Sequence, residues 1–255
     1  MSTLGIIITV VLIILVIMFF VYIFNDPYTL SNLQNGQNMS TINASSLANN
    51  GSDIPSSNFA YSIWFYINDF NYQYGTPKVI FGRMGAPSNS KSTSISEVNG
   101  LNPCPAVVLG ATQNNLEIFL TCYPGLNTIS SSPVMNSIVH KCSLANVPVQ
   151  KWVNLIISVY GRSLDVYLDG KLVRTCLLPG VANINNNANI YVTPNGGFNG
   201  WTSKFQYYPN SLNPQEAYNI YTRGYGGNLF TNFFNSYEVQ ITLLENGTSQ
   251  GNITI

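Results

Sequence analysis

The sequence predicts an all-β protein: an antiparallel β-sandwich with one short helix, preceded by a single N-terminal transmembrane helix. Three observations point there. Leu4–Phe24 is an uninterrupted apolar run. From Asn58 onward, short segments rich in Val, Ile, Tyr, Phe and Trp alternate in polarity and are separated by Gly, Asn and Pro clusters. The segment after Asn213 carries helix start signals.

The apolar run LGIIITVVLIILVIMFFVYIF is about 21 residues long. At 1.5 Å per residue it spans about 30 Å, the thickness of a bilayer's hydrocarbon core. Met1-Ser2-Thr3 has no positive charge, the run exceeds a signal-peptide core, and Tyr22-Ile23-Phe24-Asn25 is a poor cleavage site. The expectation is a retained anchor from Leu4 to Phe24 behind a tail of residues 1–3. Its orientation is unreadable from flanking charge, because the first lysine is Lys78.

Asn25–Ser57 is rich in Asn and Ser and holds no sustained period. It reads as a linker or stalk, about 30 Å long as a coil and about 100 Å fully extended. The competing expectation is that part of it folds onto the domain as an outer strand. Residues 58–255 form the β domain.

Within that domain, Asn58–Asn68 is the first strand, apolar on both faces in places and therefore central. Lys78–Arg83 follows. Ala106–Gly110 and Leu116–Tyr123 form a hairpin whose open end brings Cys104 towards Cys122. Asn136–His140 is a further strand. Trp152–Tyr160, Ser163–Leu168 and Lys171–Leu177 make a meander closed by Asp169-Gly170, a dipeptide suited to the positive φ angles of a type I′ turn. In that register Leu168 faces Lys171, and Asp165 faces Arg174 as an opposite-charge pair. Asn189–Thr193 and Gly197–Tyr208 are later strands. Asn213 as N-cap, Pro214 and Glu216 begin the helix, Ala217, Ile220 and Tyr221 share its face, and Gly224 stops it. Tyr237–Leu244 is the last clear strand.

Composition narrows function. Ten basic and ten acidic residues balance, and charged residues make up only 8% of the chain, against about 25% in ordinary globular proteins. No basic patch exists to hold nucleic acid. The four cysteines lack zinc-site spacing, and the one histidine, His140, lies in an H-x-C pair that is a poor metal signal. The reading is two disulfides in preference to four free thiols, with Cys104–Cys122 proposed from the hairpin and Cys142–Cys176 following by exclusion, although cysteine spacing alone does not settle connectivity. No metal or cofactor is expected.

No catalytic set emerges either. Glycoside hydrolysis needs two carboxylates flanking the bond. Glu97 lies in a loop, Glu117 stands alone, Glu216 caps a helix, Asp169 makes a turn and Asp165 a cross-strand pair. His140 has no nucleophile beside it in any local motif. An enzyme is not expected. Sugar binding by an aromatic platform stays open, with Trp201, Tyr207 and Tyr208, or Tyr72 and Tyr74, as candidates. N-x-S/T sequons at Asn38, Asn43, Asn50, Asn246 and Asn252 are candidate glycosylation sites in a secretory setting, although Asn is common enough to produce them by chance.

A strand opened by Trp152, followed by Tyr167-Leu168-Asp169-Gly170-Lys171-Leu172-Val173, resembles the core hairpin of laminin-G-like domains of the concanavalin A-like jelly-roll superfamily. The Ser62-Ile63-Trp64 run, the strand ending Phe205-Gln206-Tyr207-Tyr208 and the short helix after it are similar in order, so the resemblance covers about Phe59 to Leu244. The anchor, the Asn-rich stalk and the wording VPVQKW…DVYLDGKLVRTCLLPGV resemble membrane-anchored minor capsid proteins of large icosahedral DNA viruses of the chlorovirus type. That resemblance implies a structural virion protein, seated at the internal membrane, whose sandwich binds neighbouring capsid or membrane proteins and tethers shell to bilayer. The alternatives are a membrane-anchored lectin-like surface protein that binds glycans, and a degraded hydrolase.

Overall fold

The computed structural model describes residues 11, 12, 14–16, 18, 19, 26–47, 57–88, 98, 100–125, 137–226, 240–245 and 248–254. Most of the expected anchor, including Leu4 and Phe24, lies outside them. Residues 11, 12, 14–16, 18 and 19 are α-helical, and their apolar side chains are exposed. Among the described residues no helix is long and apolar enough to cross a membrane.

The chain divides into two compact units, Tyr28–Tyr225 and Met1–Pro27 with Gly226–Ile255. The first holds β1 (Thr29–Ser31), β2 (Gln34–Asn35), β3 (Ser40–Ile42), β4 (Phe59–Asp69), β5 (Lys78–Arg83), β6 (Ala106–Leu109) and β7 (Leu116–Cys122). It continues with β8 (Ile138–Leu144), β9 (Trp152–Tyr160), β10 (Ser163–Leu168), β11 (Lys171–Leu177), β12 (Ile190–Val192), β13 (Asn199–Tyr208) and helix α1 (Pro214–Thr222). The second holds the hairpin of β14 (Gln240–Glu245) and β15 (Thr248–Thr254).

Two antiparallel sheets form a sandwich of jelly-roll type. One runs β1-β13-β4-β9-β10-β11, with β2 also on β13; the other runs β3-β12-β5-β6-β7-β8. Strand alternation builds the core between them. Phe59, Tyr61, Ile63, Phe65 and Ile67 of β4 point inward with Val153, Leu155, Ile157 and Val159 of β9, against Ile80, Val107, Leu109, Ile118, Leu120 and Ile190 of the other sheet. Each such side chain, fully buried, contributes about 1.5–3 kcal/mol.

The edges are joined on both sides. On one side, residues 36–39 carry the chain from β2 in the first sheet to β3 in the second. On the other, a disulfide links Cys142 of β8 to Cys176 of β11.

Four expectations change. The stalk is partly strand: β1 and β2 pair with β13, and β3 pairs with β12. Isolated apolar residues such as Leu30 and Ile42, too sparse to show a period, suffice to pack such short edges onto the core. The remainder of that stretch, 48–56, lies outside the described residues.

Cys104 and Cys122 are not bonded to each other. The β6–β7 ladder pairs Ala106 with Phe119, so two residues on it is Thr121 that stands opposite Cys104. Thr121 donates twice to the Pro103 carbonyl, at 2.8 Å from N–H and from hydroxyl. The Cys104 thiol donates to the Thr121 carbonyl at 3.8 Å, and the Cys122 thiol to the Leu120 carbonyl at 3.6 Å. Burial pushes these thiols up to about 12 and about 11.

In the central hairpin Leu168 does face Lys171, but the register shifts between Val166 and Tyr167. Arg174 therefore faces Val166, and Asp165 faces Thr175, whose hydroxyl donates to Asp165 Oδ1 at 2.6 Å. Finally, β14 pairs with β15 in a sheet of its own, outside the sandwich unit. Residues 237–239 of the predicted last strand lie outside the described residues.

Candidate functional site: an aromatic ledge on the outer sheet face

Because Phe59 to Ile67 alternate inward, Ala60, Ser62, Trp64 and Tyr66 point to the outer face of the seven-stranded sheet. Helix α1 packs on part of that face. Its Ala217 and Ile220 pack on Ala60, Ile156, Tyr167 and Tyr208. The capping box fixes its start: Asn213 Oδ1 accepts from the Glu216 N–H at 2.9 Å, and the Asn213 N–H donates to Glu216 Oε2 at 2.8 Å. Gly224, at φ +73°, ends it. The Asp169-Gly170 turn, with φ of +49° and +73°, tucks beneath the helix; a Cβ on Gly170 would come within 2.9 Å of Tyr221 Cβ.

Beside the helix, the described residues line the face with rings. Trp201 of β13 stands opposite Tyr66 of β4, which stands opposite Trp152 of β9. Tyr66 and Trp152 have ring centroids 5.8 Å apart. Tyr225 stacks on Trp152 at 4.4 Å and 11°, held by the Ser203 hydroxyl, which donates to its carbonyl at 2.7 Å. Trp64 lies deeper, 4% exposed, stacked under Tyr221 at 5.6 Å. Trp201 and Tyr225 are each 44% exposed.

The rim is polar and carries one exposed carboxylate, Asp69, which stands opposite Asn199 and accepts from the Asn71 N–H at 2.9 Å. Asn68, two residues beyond Tyr66, donates through Nδ2 to Asn199 Oδ1 at 3.3 Å. Asn35 of β2 stands beside Trp201. The nearby charges are engaged: Lys151 Nζ bonds Asp169 Oδ2 at 3.0 Å, Asp169 Oδ1 accepts from the Asn154 N–H at 3.0 Å, and Lys204 Nζ donates to the Gly224 carbonyl at 3.4 Å. In the floor, Trp64 Nε1 and Asn154 Oδ1 are buried without a hydrogen-bond partner among the described residues, and the two residues face each other across β4 and β9.

Of the ring candidates read from the sequence, only Trp201 lies on this ledge. Tyr207 turns to the core, 5.1 Å from Tyr61, where burial raises its phenol. Tyr208 is 8% exposed, packed 4.7 Å from Tyr28 and against the α1 cluster. Tyr72 and Tyr74 lie in the loop after β4, and Tyr74 is exposed. Asn38 and Asn43 are exposed. Asn50 and Asn246 lie outside the described residues; Asn252 is in β15. Glu117 pairs with Lys141 at 2.6 Å, and burial lowers the pKa of His140 on β8. Among the described residues no cluster of three His, Cys, Asp or Glu could hold a metal. Sequence reasoning missed Tyr66, Trp152 and Tyr225. The register of β4 against β9 and β13 unites the ledge, and a register is not written in any one segment.

No protein-family model matches the chain, and no curated protein does. Among solved structures it is similar to a mutant of HCR/D, with 13% identity and a TM-score of 0.51 over 75% of this chain and 43% of that one. It is also similar to the receptor binding domain of botulinum neurotoxin C/D mosaic serotype, with 13% identity and a TM-score of 0.50 over 78% of this chain and 46% of that one. The matched part spans less than half the length of either. At these identities the likeness is one of fold, the two-sheet sandwich.

Proposed function

We propose that the chain is a membrane-anchored, non-catalytic binding protein whose sandwich grips a neighbouring surface through the ring-lined part of its seven-stranded sheet. One observation carries the reading: α1 packs on Ala60, Ile156, Tyr167 and Tyr208 of the outer face, and Trp201, Tyr66 and Tyr225 stand beside it. Exposed aromatic groups clustered in this way are characteristic of recognition surfaces. The apolar run Leu4–Phe24, helical and exposed where described, supports the anchor. The resemblance to minor capsid proteins supplies one setting, a tether between an internal membrane and the coat around it. The botulinum neighbour, named a receptor binding domain, is compatible with a recognition role for a sandwich of this kind.

The test uses the full chain in its native membrane or particle. Alkaline carbonate extraction should leave it in the membrane pellet. A photo-crosslinker at Trp201 should give adducts, and the same group at Tyr160, which is exposed at the tip of β9, should not. Release by carbonate overturns the anchor; equal or absent adducts at the two positions overturn the binding face.

A further inference from the structure

We propose that the ledge of Trp201 and Tyr66, walled by Tyr225 and rimmed by Asn68 and Asn199, binds an uncharged carbohydrate chain; this rests on the binding face described above. A sugar ring has an apolar C–H face and a girdle of hydroxyls, each at once donor and acceptor. The ledge offers the complement. Rings on adjacent strands, about 5 Å apart, present flat apolar surface, and amide side chains at the rim carry donor and acceptor together.

Charge narrows the ligand class. An acidic glycan, a nucleic acid or an anionic lipid surface would call for free cations, but the bordering Lys151 and Lys204 are held by Asp169 and the Gly224 carbonyl. An acidic peptide would likewise find no free cation at Asn35, Asn68 and Asn199, and the one carboxylate at that rim, Asp69, already accepts from the Asn71 N–H at 2.9 Å.

The test is a panel of neutral oligosaccharides presented to the full chain in lipid nanodiscs, since sugar-headed detergents would compete. The tightest oligosaccharide is then titrated by tryptophan fluorescence. Binding should weaken at least tenfold in Trp201→Ala and several-fold in Asn68→Ala, with no change in Tyr160→Ala and with far-UV spectra unaltered. Failure to bind any neutral oligosaccharide, preference for sialylated ones, or full binding by Trp201→Ala overturns the proposal. Adducts at Trp201 to a carbohydrate-free protein, in the crosslinking experiment above, would overturn the carbohydrate and leave the binding face standing.

Discussion

Cys142 and Cys176 join the outermost strands of two different sheets. The Cα atoms are 6.1 Å apart, and the residues are 34 positions apart in the chain. Among the described residues neither β8 nor β11 has a further strand beside it in its sheet, so the bond stands where the sandwich would otherwise open.

Its removal should therefore cost stability. Closing a loop of this length restricts the unfolded chain by about 3–4 kcal/mol. The double variant Cys142→Ala/Cys176→Ala should unfold at correspondingly lower urea, as should the reduced protein. Cys104 and Cys122, 2% and 0% exposed, should react with a thiol reagent only on unfolding. Two rapidly labelled thiols in the native state would contradict the fold at β6 and β7.

Lys78 supplies a pH test. It is 2% exposed, its ammonium has no hydrogen-bond partner among the described residues, and it lies 4.9 Å from the Phe70 ring centre. A cation–π contact returns only about 1–2 kcal/mol, whereas burying an unpaired charge costs several. Desolvation lowers its pKa from 10.5. The unfolded chain therefore holds the extra proton between the folded and unfolded values, and stability rises with pH across that interval. Lys78→Met should be more stable at pH 7 by about 1 kcal/mol or more and should flatten the rise, measured as urea midpoints from pH 7 to 10. A steeper rise in the variant would refute the assignment.

The capping box predicts a graded result. Asn213→Ala should cost about 1 kcal/mol. Glu216→Gln should cost less, because its side-chain carbonyl still accepts from the Asn213 N–H. Chemical denaturation of both variants checks the order.

Two tryptophans on one face should behave oppositely. Trp64, under Tyr221 and Tyr225, should cost about 3–5 kcal/mol when cut to Ala. Trp201, half-exposed beside Tyr66, should cost about 0.5 kcal/mol or less. Equal losses would place Trp201 in the packing and remove it from any recognition surface.

Much of the sandwich was legible in the chain because its central strands are long and strongly patterned. Lys78–Arg83, Trp152–Tyr160, Ser163–Leu168 and Lys171–Leu177 were delimited by their alternation and turn residues, and the helix by its Asn-Pro-x-Glu start. What escaped depends on partners distant in sequence. Thr29–Ser31 and Ser40–Ile42 are strands only because β13 and β12 offer them open edges. The slip that seats Thr175 on Asp165 comes from one extra residue in β11, which no local rule marks. The ledge escaped for the same reason. Tyr66, Trp152 and Trp201 belong to three segments, and only the ladder aligns them. Tyr207 and Tyr208 were drawn into one platform with Trp201 by closeness in sequence. The register irregularity between Ser203 and Gln206, with Lys204 at φ +47°, intervenes on the way to the inward-facing Tyr207.

The crossing from β2 to β3 has a mechanical side. Tension entering at Thr29 would first meet β1 and β2 on one sheet and then β3 on the other, so both sheets share the load at that edge. At the opposite edge, Cys142–Cys176 is a covalent rivet that hydrogen-bond rupture cannot undo. Pulled from its N-terminus, this sandwich should shed the short strands β1 to β3 first, and the chain between Cys142 and Cys176 should stay unextended until the bond is reduced.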